Sequence, residues 1–93
     1  MELFLTRRAE KNYASIKNYI KDEWGEKTAS EFILKTEEFF ELLRKYPAIG
    51  QIEKNDIRGF QLSSQTRVLY RTKEDKIIVL AFFDVRQNPN KKF

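Results

Sequence analysis

The chain has 93 residues and a net charge of +4, with 41% hydrophobic and 34% charged residues. That length suits one compact domain over residues 1–93, and the composition is that of an ordinary globular protein rather than a disordered one. Cysteine and histidine are absent, which excludes disulfides and thiolate metal sites and removes the commonest general base near neutral pH.

Glu2–Leu5 predicts a short opening strand, after which Thr6 offers a side-chain oxygen to the free amides of a helix. Ala9, Tyr13, Ile16, Ile20 and Trp24 then recur at helical spacing. Gly25 breaks this stripe, and a second one follows through Ala29, Phe32, Ile33, Thr36, Phe39, Phe40, Leu43 and Tyr46 until Pro47 stops it. The two stripes predict a helical hairpin joined at Trp24-Gly25, with Phe32, Phe39 and Phe40 in the core. Pro47–Gly50 reads as a turn and Glu53–Asp56 as polar loop. Ile57–Leu62 alternates as a strand, Ser63–Gln65 is a turn, Val68-Leu69-Tyr70 centres a further strand, and Lys73–Lys76 is a tight reversal. The continuous apolar run Ile77–Phe83 predicts a central strand covered on both faces. It is too short to span a membrane. The N-terminus lacks the long apolar region of a signal peptide, so a complete, cytoplasmic protein is expected. Asp84–Phe93 reads as a polar tail. The expected fold class is α+β, in the order β-α-α-β-β-β, with the hairpin on an antiparallel sheet.

Charge is unevenly distributed. Residues 1–53 hold nine Lys/Arg against ten Asp/Glu, and residues 54–93 hold nine against four. The basic C-terminal half points to an anionic partner, nucleic acid or acidic protein, or to a solvated basic face. No metal, nucleotide or cofactor site is expected. Gly25, Gly50 and Gly59 are isolated rather than gathered into a phosphate-cradling loop, and pairs such as Asp22-Glu23 and Glu37-Glu38 lie on solvated helix surfaces.

Several local patterns, taken in order, resemble the RelE/ParE toxin superfamily. They are Phe4–Glu10 at the passage from strand to helix, Ile16–Ile20 in the first helix, and Leu42–Gly50 with its Pro-x-x-Gly helix exit. Ile57-Arg58, Val68-Leu69-Tyr70-Arg71 and Phe83–Pro89 continue the series. The resemblance implies the toxin of a type II toxin–antitoxin pair, bound by an acidic antitoxin that folds on contact. It leaves two activities open: ParE-like inhibition of a protein target such as DNA gyrase, or RelE-like cleavage of mRNA on the ribosome. For cleavage, cations must stabilise the phosphorane and a base must take the 2′-hydroxyl proton. Lys54, Arg58, Arg67 and Arg86 are the candidates for that role, with Glu53, Lys54 or a tyrosine left to act as base. Many RelE-like members carry a Tyr or His after the C-terminal arginine, and the tail Gln87–Phe93 has neither. The long helical hairpin also resembles ParE-like members. For antitoxin or target binding the candidates are Trp24, Arg67, Arg71, Arg86, Lys91 and Lys92. Solvent-facing positions and ordinary salt bridges are the alternative reading of the arginines.

Overall fold

A computed structural model describes residues 1–87. It contains β1 (Glu2–Leu5), α1 (Arg7–Trp24), α2 (Glu26–Lys45), β2 (Gln51–Lys54), β3 (Ile57–Gln61), β4 (Thr66–Lys73) and β5 (Lys76–Asp84). The strands form one sheet in the order β1-β5-β4-β3-β2. The fold class is the expected α+β hairpin on a sheet, with two differences of detail.

The first is an extra strand. Gln51–Lys54, where the sequence predicts no strand and places Glu53 and Lys54 in a polar loop, pairs antiparallel with β3 through the two-residue turn Asn55-Asp56. All four residues of β2 are exposed, so it lacks the apolar alternation by which strands are recognised. Its signal is Asn55, which adopts φ +54°, a conformation that asparagine tolerates and tight hairpins need. The second is that the sheet is mixed, because β1 runs parallel to β5 while the other pairs are antiparallel.

The helices start and stop for local reasons. The Thr6 hydroxyl accepts a hydrogen bond from the Ala9 amide (3.1 Å) and donates one to the Leu80 carbonyl (3.1 Å). One side chain thus caps α1 and ties it to β5, and such a cap is worth about 1 kcal/mol. Gly25, at φ +95°, ends α1 and begins α2, a turn that a side chain would strain.

Both helical stripes face the sheet. Ala9, Ile16, Ile20, Ala29, Phe32, Phe39 and Leu43 are buried against Val68, Tyr70, Ile77, Val79 and Phe82. Phe39 stacks on Phe60 with ring centroids 4.5 Å apart, and Tyr13 contacts Phe32 at 5.4 Å and Phe82 at 5.5 Å. Each such pair adds about 1 kcal/mol to the area it buries. The stripes fail only at their ends, where Trp24 and Tyr46 are 58% and 60% exposed.

β5 corrects another expectation. It is an interior strand, but the helices cover only one of its faces. Ile77, Val79 and Phe82 are buried beneath them, while Ile78, Leu80 and Phe83 are half-buried on the opposite face, where none of the described residues forms a helix. The register shifts between Leu69 and Tyr70, so that Tyr70 pairs with Val79 and Leu69 with Ala81. This bulge at Leu80 and the apolar outer face together make the run look two-sided. No helix among the described residues is long and apolar enough to cross a membrane.

Candidate functional site

Register assigns each candidate cation to a face. Arg58 lies opposite Tyr70, whose ring is buried beneath the helices, so Arg58 belongs to the helix-covered face. Arg67 and Arg71 alternate with the buried Val68 and Tyr70 and pair with Phe83 and Ile78, so both belong to the outer face. Arg86 follows β5 and returns to the helix side, where it lines a groove of about 430 Å³ with Phe32, Lys35, Glu38, Leu62 and Ser63. Lys54 is exposed at the end of β2. Of the four candidates for binding among the described residues, only Arg67 and Arg71 share a face, and Trp24 stands apart at the hairpin tip. Lys91 and Lys92 lie outside the described residues, as does the Asn88-Pro89 end of the C-terminal motif.

Each of these arginines is already held. The Arg58 guanidinium donates to the carbonyls of Gly50 (2.7 Å) and Ala48 (3.2 Å). Arg67 forms an ion pair with Glu53 across Gly59 and reaches Gln61 at 3.5 Å. Arg71 pairs with Asp56 at 2.6 Å, while its Nε is buried with no hydrogen-bond partner among the described residues. Arg86 donates to Asp84 from its backbone amide (2.9 Å), from Nε (3.1 Å) and from Nη2 (2.8 Å).

Asp84, 4% exposed, is the residue whose importance the sequence did not announce. It also accepts a hydrogen bond from the Thr66 hydroxyl at 2.5 Å. Burial by itself would push its carboxyl up, but hydrogen bonds from Arg86 and Thr66, with the arginine charge, hold it below the usual carboxylate value. The spacing Asp84-x-Arg86 was visible in the sequence, but the turn that folds the arginine back was not.

Of the groups that could move protons, Glu53 and Tyr70 are occupied, while Lys54 stands exposed at the end of β2. Glu53 is bound to Arg67. The Tyr70 hydroxyl donates to the Pro47 carbonyl (2.8 Å) and accepts from the Gly50 amide (2.8 Å). Burial raises the Tyr70 pKa, against the Gly50 hydrogen bond and the Arg58 charge, which lower it. Burial, assisted by Glu37, likewise raises that of Tyr13. Among the described residues, the arrangement offers anion-binding groups on two separate faces and no base placed between them.

Comparisons with known proteins agree with this fold. A family model described as "ParE toxin of type II toxin-antitoxin system, parDE" matches residues 3–89. Among solved structures, the chromosomal ParDE toxin–antitoxin system of P. aeruginosa contains a chain with TM-score 0.76 and 20% identity, covering 90% of this chain and 95% of that one. A YoeB/ParE toxin from Agrobacterium tumefaciens gives TM-score 0.68 and 13% identity, covering 90% and 98%. The YoeB dimer from Staphylococcus aureus gives 0.63 and 12%, covering 89% and 94%. At these identities the likeness is one of fold. No curated protein sequence matches.

Proposed function

The chain belongs to the ParE toxin family of type II toxin–antitoxin systems, and from that premise we propose that it arrests growth by binding a protein target such as DNA gyrase rather than by cutting RNA. A toxin of such a system has an antitoxin as its partner. The finer reading is that residues 1–93 act as one toxin domain in the cytoplasm, held inactive by an acidic antitoxin that folds on contact.

One observation carries the preference. The four cations that RNA cleavage would need are divided between the two sheet faces and the β2 edge, and Arg58, Arg67 and Arg86 are committed to carbonyls or carboxylates. Phosphoryl-transfer chemistry needs cations converging on one phosphate, with a base within hydrogen-bond reach of the nucleophile. A protein-binding inhibitor needs neither. It needs exposed anchors on a rigid scaffold, and Trp24, with Arg67 and Arg71 on the outer face, supplies candidates.

Expression of the chain without an antitoxin, with DNA supercoiling and mRNA ends followed in parallel, tests the proposal. Supercoiling should fall with no new mRNA ends. Cuts that recur with codon periodicity would overturn the proposal in favour of a ribosome-dependent endoribonuclease, and normal growth would point to an inert member of the fold kept as a binding module.

A further inference from the structure

The two edges of the sheet are not alike. β2 is blunted, because it carries Glu53 and Lys54 and its pairing with β3 is irregular between Ile52 and Lys54. Charges and bulges of this kind keep an edge strand from pairing with other chains. At the opposite edge, β1 pairs only with β5, in unbroken register. Its centre, Leu3-Phe4-Leu5, contains neither charge nor proline. Leu3 and Leu5 pack against the core, while Phe4 lies opposite Ile78 on the outer face and is 45% exposed.

The backbone of β1 has a free side. The Thr6 amide donates to the Val79 carbonyl at 3.0 Å. Alternate residues of a parallel strand bond to the same neighbour, so Glu2, Phe4 and Thr6 turn their backbone groups to β5, and Leu3 and Leu5 turn theirs away from the sheet. Beside them, Phe4, Leu5, Thr6, Lys76 and Ile78 line a groove of about 240 Å³. The two ends of the strand are opposite in charge. Glu2 opens it and Arg7 and Arg8 follow it, and none of the three has an ion-pair partner among the described residues.

We propose that β1 is a self-docking edge, at which two copies of this chain pair antiparallel about a two-fold axis passing between their Phe4 residues. Leu3 of each copy then bonds to Leu5 of the other, which uses the outward backbone groups of both strands. The two Phe4 residues form a pair without backbone hydrogen bonds, the kind with the closer side chains, and each ring has the groove beside the other strand to enter. Residues opposite each other share a face, so a slip of one residue would set Phe4 against the helix-covered side and is excluded. Glu2 falls opposite Thr6 of the second copy, beside its Arg7 and Arg8. A strand of this same sequence, run antiparallel, thus meets opposite charge at both ends. The axis stands perpendicular to the sheet, so both helical hairpins lie on one side of the joined sheet and β2 remains at each outer end. So short a pairing falls below the roughly 1,200 Å² of stable interfaces, and the dimer is a reversible one with a dissociation constant on the order of tens of micromolar. Pairing of this kind does not depend on what the chain inhibits.

Sedimentation velocity of the full chain over a concentration series tests this, with hydrogen exchange read on the same samples. The chain should pass from monomer to dimer as concentration rises, and exchange at the Leu3 and Leu5 amides should slow in step. Phe4→Asp should raise the dissociation constant about thirtyfold. Glu2→Arg should raise it about tenfold, and adding Arg7→Glu with Arg8→Glu should recover most of that loss. All four side chains are exposed, so thermal melts of the variants should match the parent at dilutions where both are monomeric. A chain still monomeric at about 1 mM, a dimer indifferent to Phe4→Asp, or a dimer dispersed by Ile52→Asp instead would overturn the proposal. Protection of Leu3 and Leu5 that arises only when the cognate antitoxin is added would overturn it in favour of a strand from that partner.

Discussion

Arg86 turns back onto Asp84, two residues before it, and closes a clasp of three hydrogen bonds between 2.8 and 3.1 Å. With Thr66 on the other side of the carboxylate, the clasp joins the end of β5 to the start of β4. The most suggestive cation of the C-terminal motif therefore answers a buried acid, and its first task is to keep that acid satisfied.

Asp84→Asn should destabilise the protein by about 3 kcal/mol, because it leaves Arg86 without its counter-charge and the amide cannot accept every hydrogen bond that the carboxylate does. Equilibrium urea unfolding measures this directly. A midpoint unchanged from the parent would mean that the clasp contributes nothing.

The same carboxyl sets an acid limit. Its folded value lies below the ordinary one, so the folded state prefers the charged form. This contribution to stability is fully present above the unfolded value, about 4, and is lost as pH falls through the folded value. Thermal midpoints should therefore drop below about pH 4, and the Asp84→Asn variant should show a shallower drop. Parallel curves for the two proteins would contradict this.

Tyr70 and Gly50 form a second buried joint. Tyr70→Phe leaves the Pro47 carbonyl and the Gly50 amide without their partner and should cost about 2 kcal/mol. Gly50→Ala should cost about as much for a different reason. A Cβ there would lie 2.8 Å from Tyr70 Cε1 and 2.9 Å from the Gly59 carbonyl oxygen, and neither a buried ring nor a strand backbone yields readily. Chemical denaturation of both variants, with the double variant for coupling, checks the pair. If the joint is a unit, the two costs will not add.

Trp24 is proposed as a contact with the target. At 58% exposure, Trp24→Ala should leave stability within about 0.5 kcal/mol while weakening the inhibition of supercoiling severalfold. As the chain's one tryptophan, it should also shift its emission to the blue when the target binds. Inhibition that survives Trp24→Ala intact would remove the hairpin tip from the contact surface.

Much of this fold is legible in the linear chain, because helix periodicity and turn chemistry are local. The two apolar stripes, Thr6 as cap, Gly25 as hinge and Pro47 as stop follow from neighbours a few residues apart. The fold class and the family likewise follow from motifs that keep their order along the chain. The exceptions have a common cause. β2 is an edge strand with every residue exposed, so it carries no apolar alternation to read. Ile77–Phe83 is apolar on both sides although the helices cover one. Trp24 and Tyr46 continue their stripes in sequence but run past the sheet in space.

The candidate site was legible in composition and not in arrangement. Counting basic residues identifies Arg58, Arg67, Arg71 and Arg86, but strand register divides the first three between two faces, since a shift of one residue reverses a side chain's direction, and the turn after β5 places Arg86. Their partners were beyond the sequence as well. Glu53 of β2 meets Arg67 of β4 across the intervening β3, over Gly59, and Asp84 meets Arg86 only because the chain reverses between them. The sequence by itself determined which elements form and which charges are available. The tertiary structure decided which charges are already spent on one another, because pairing depends on distance across the fold and not on separation along the chain.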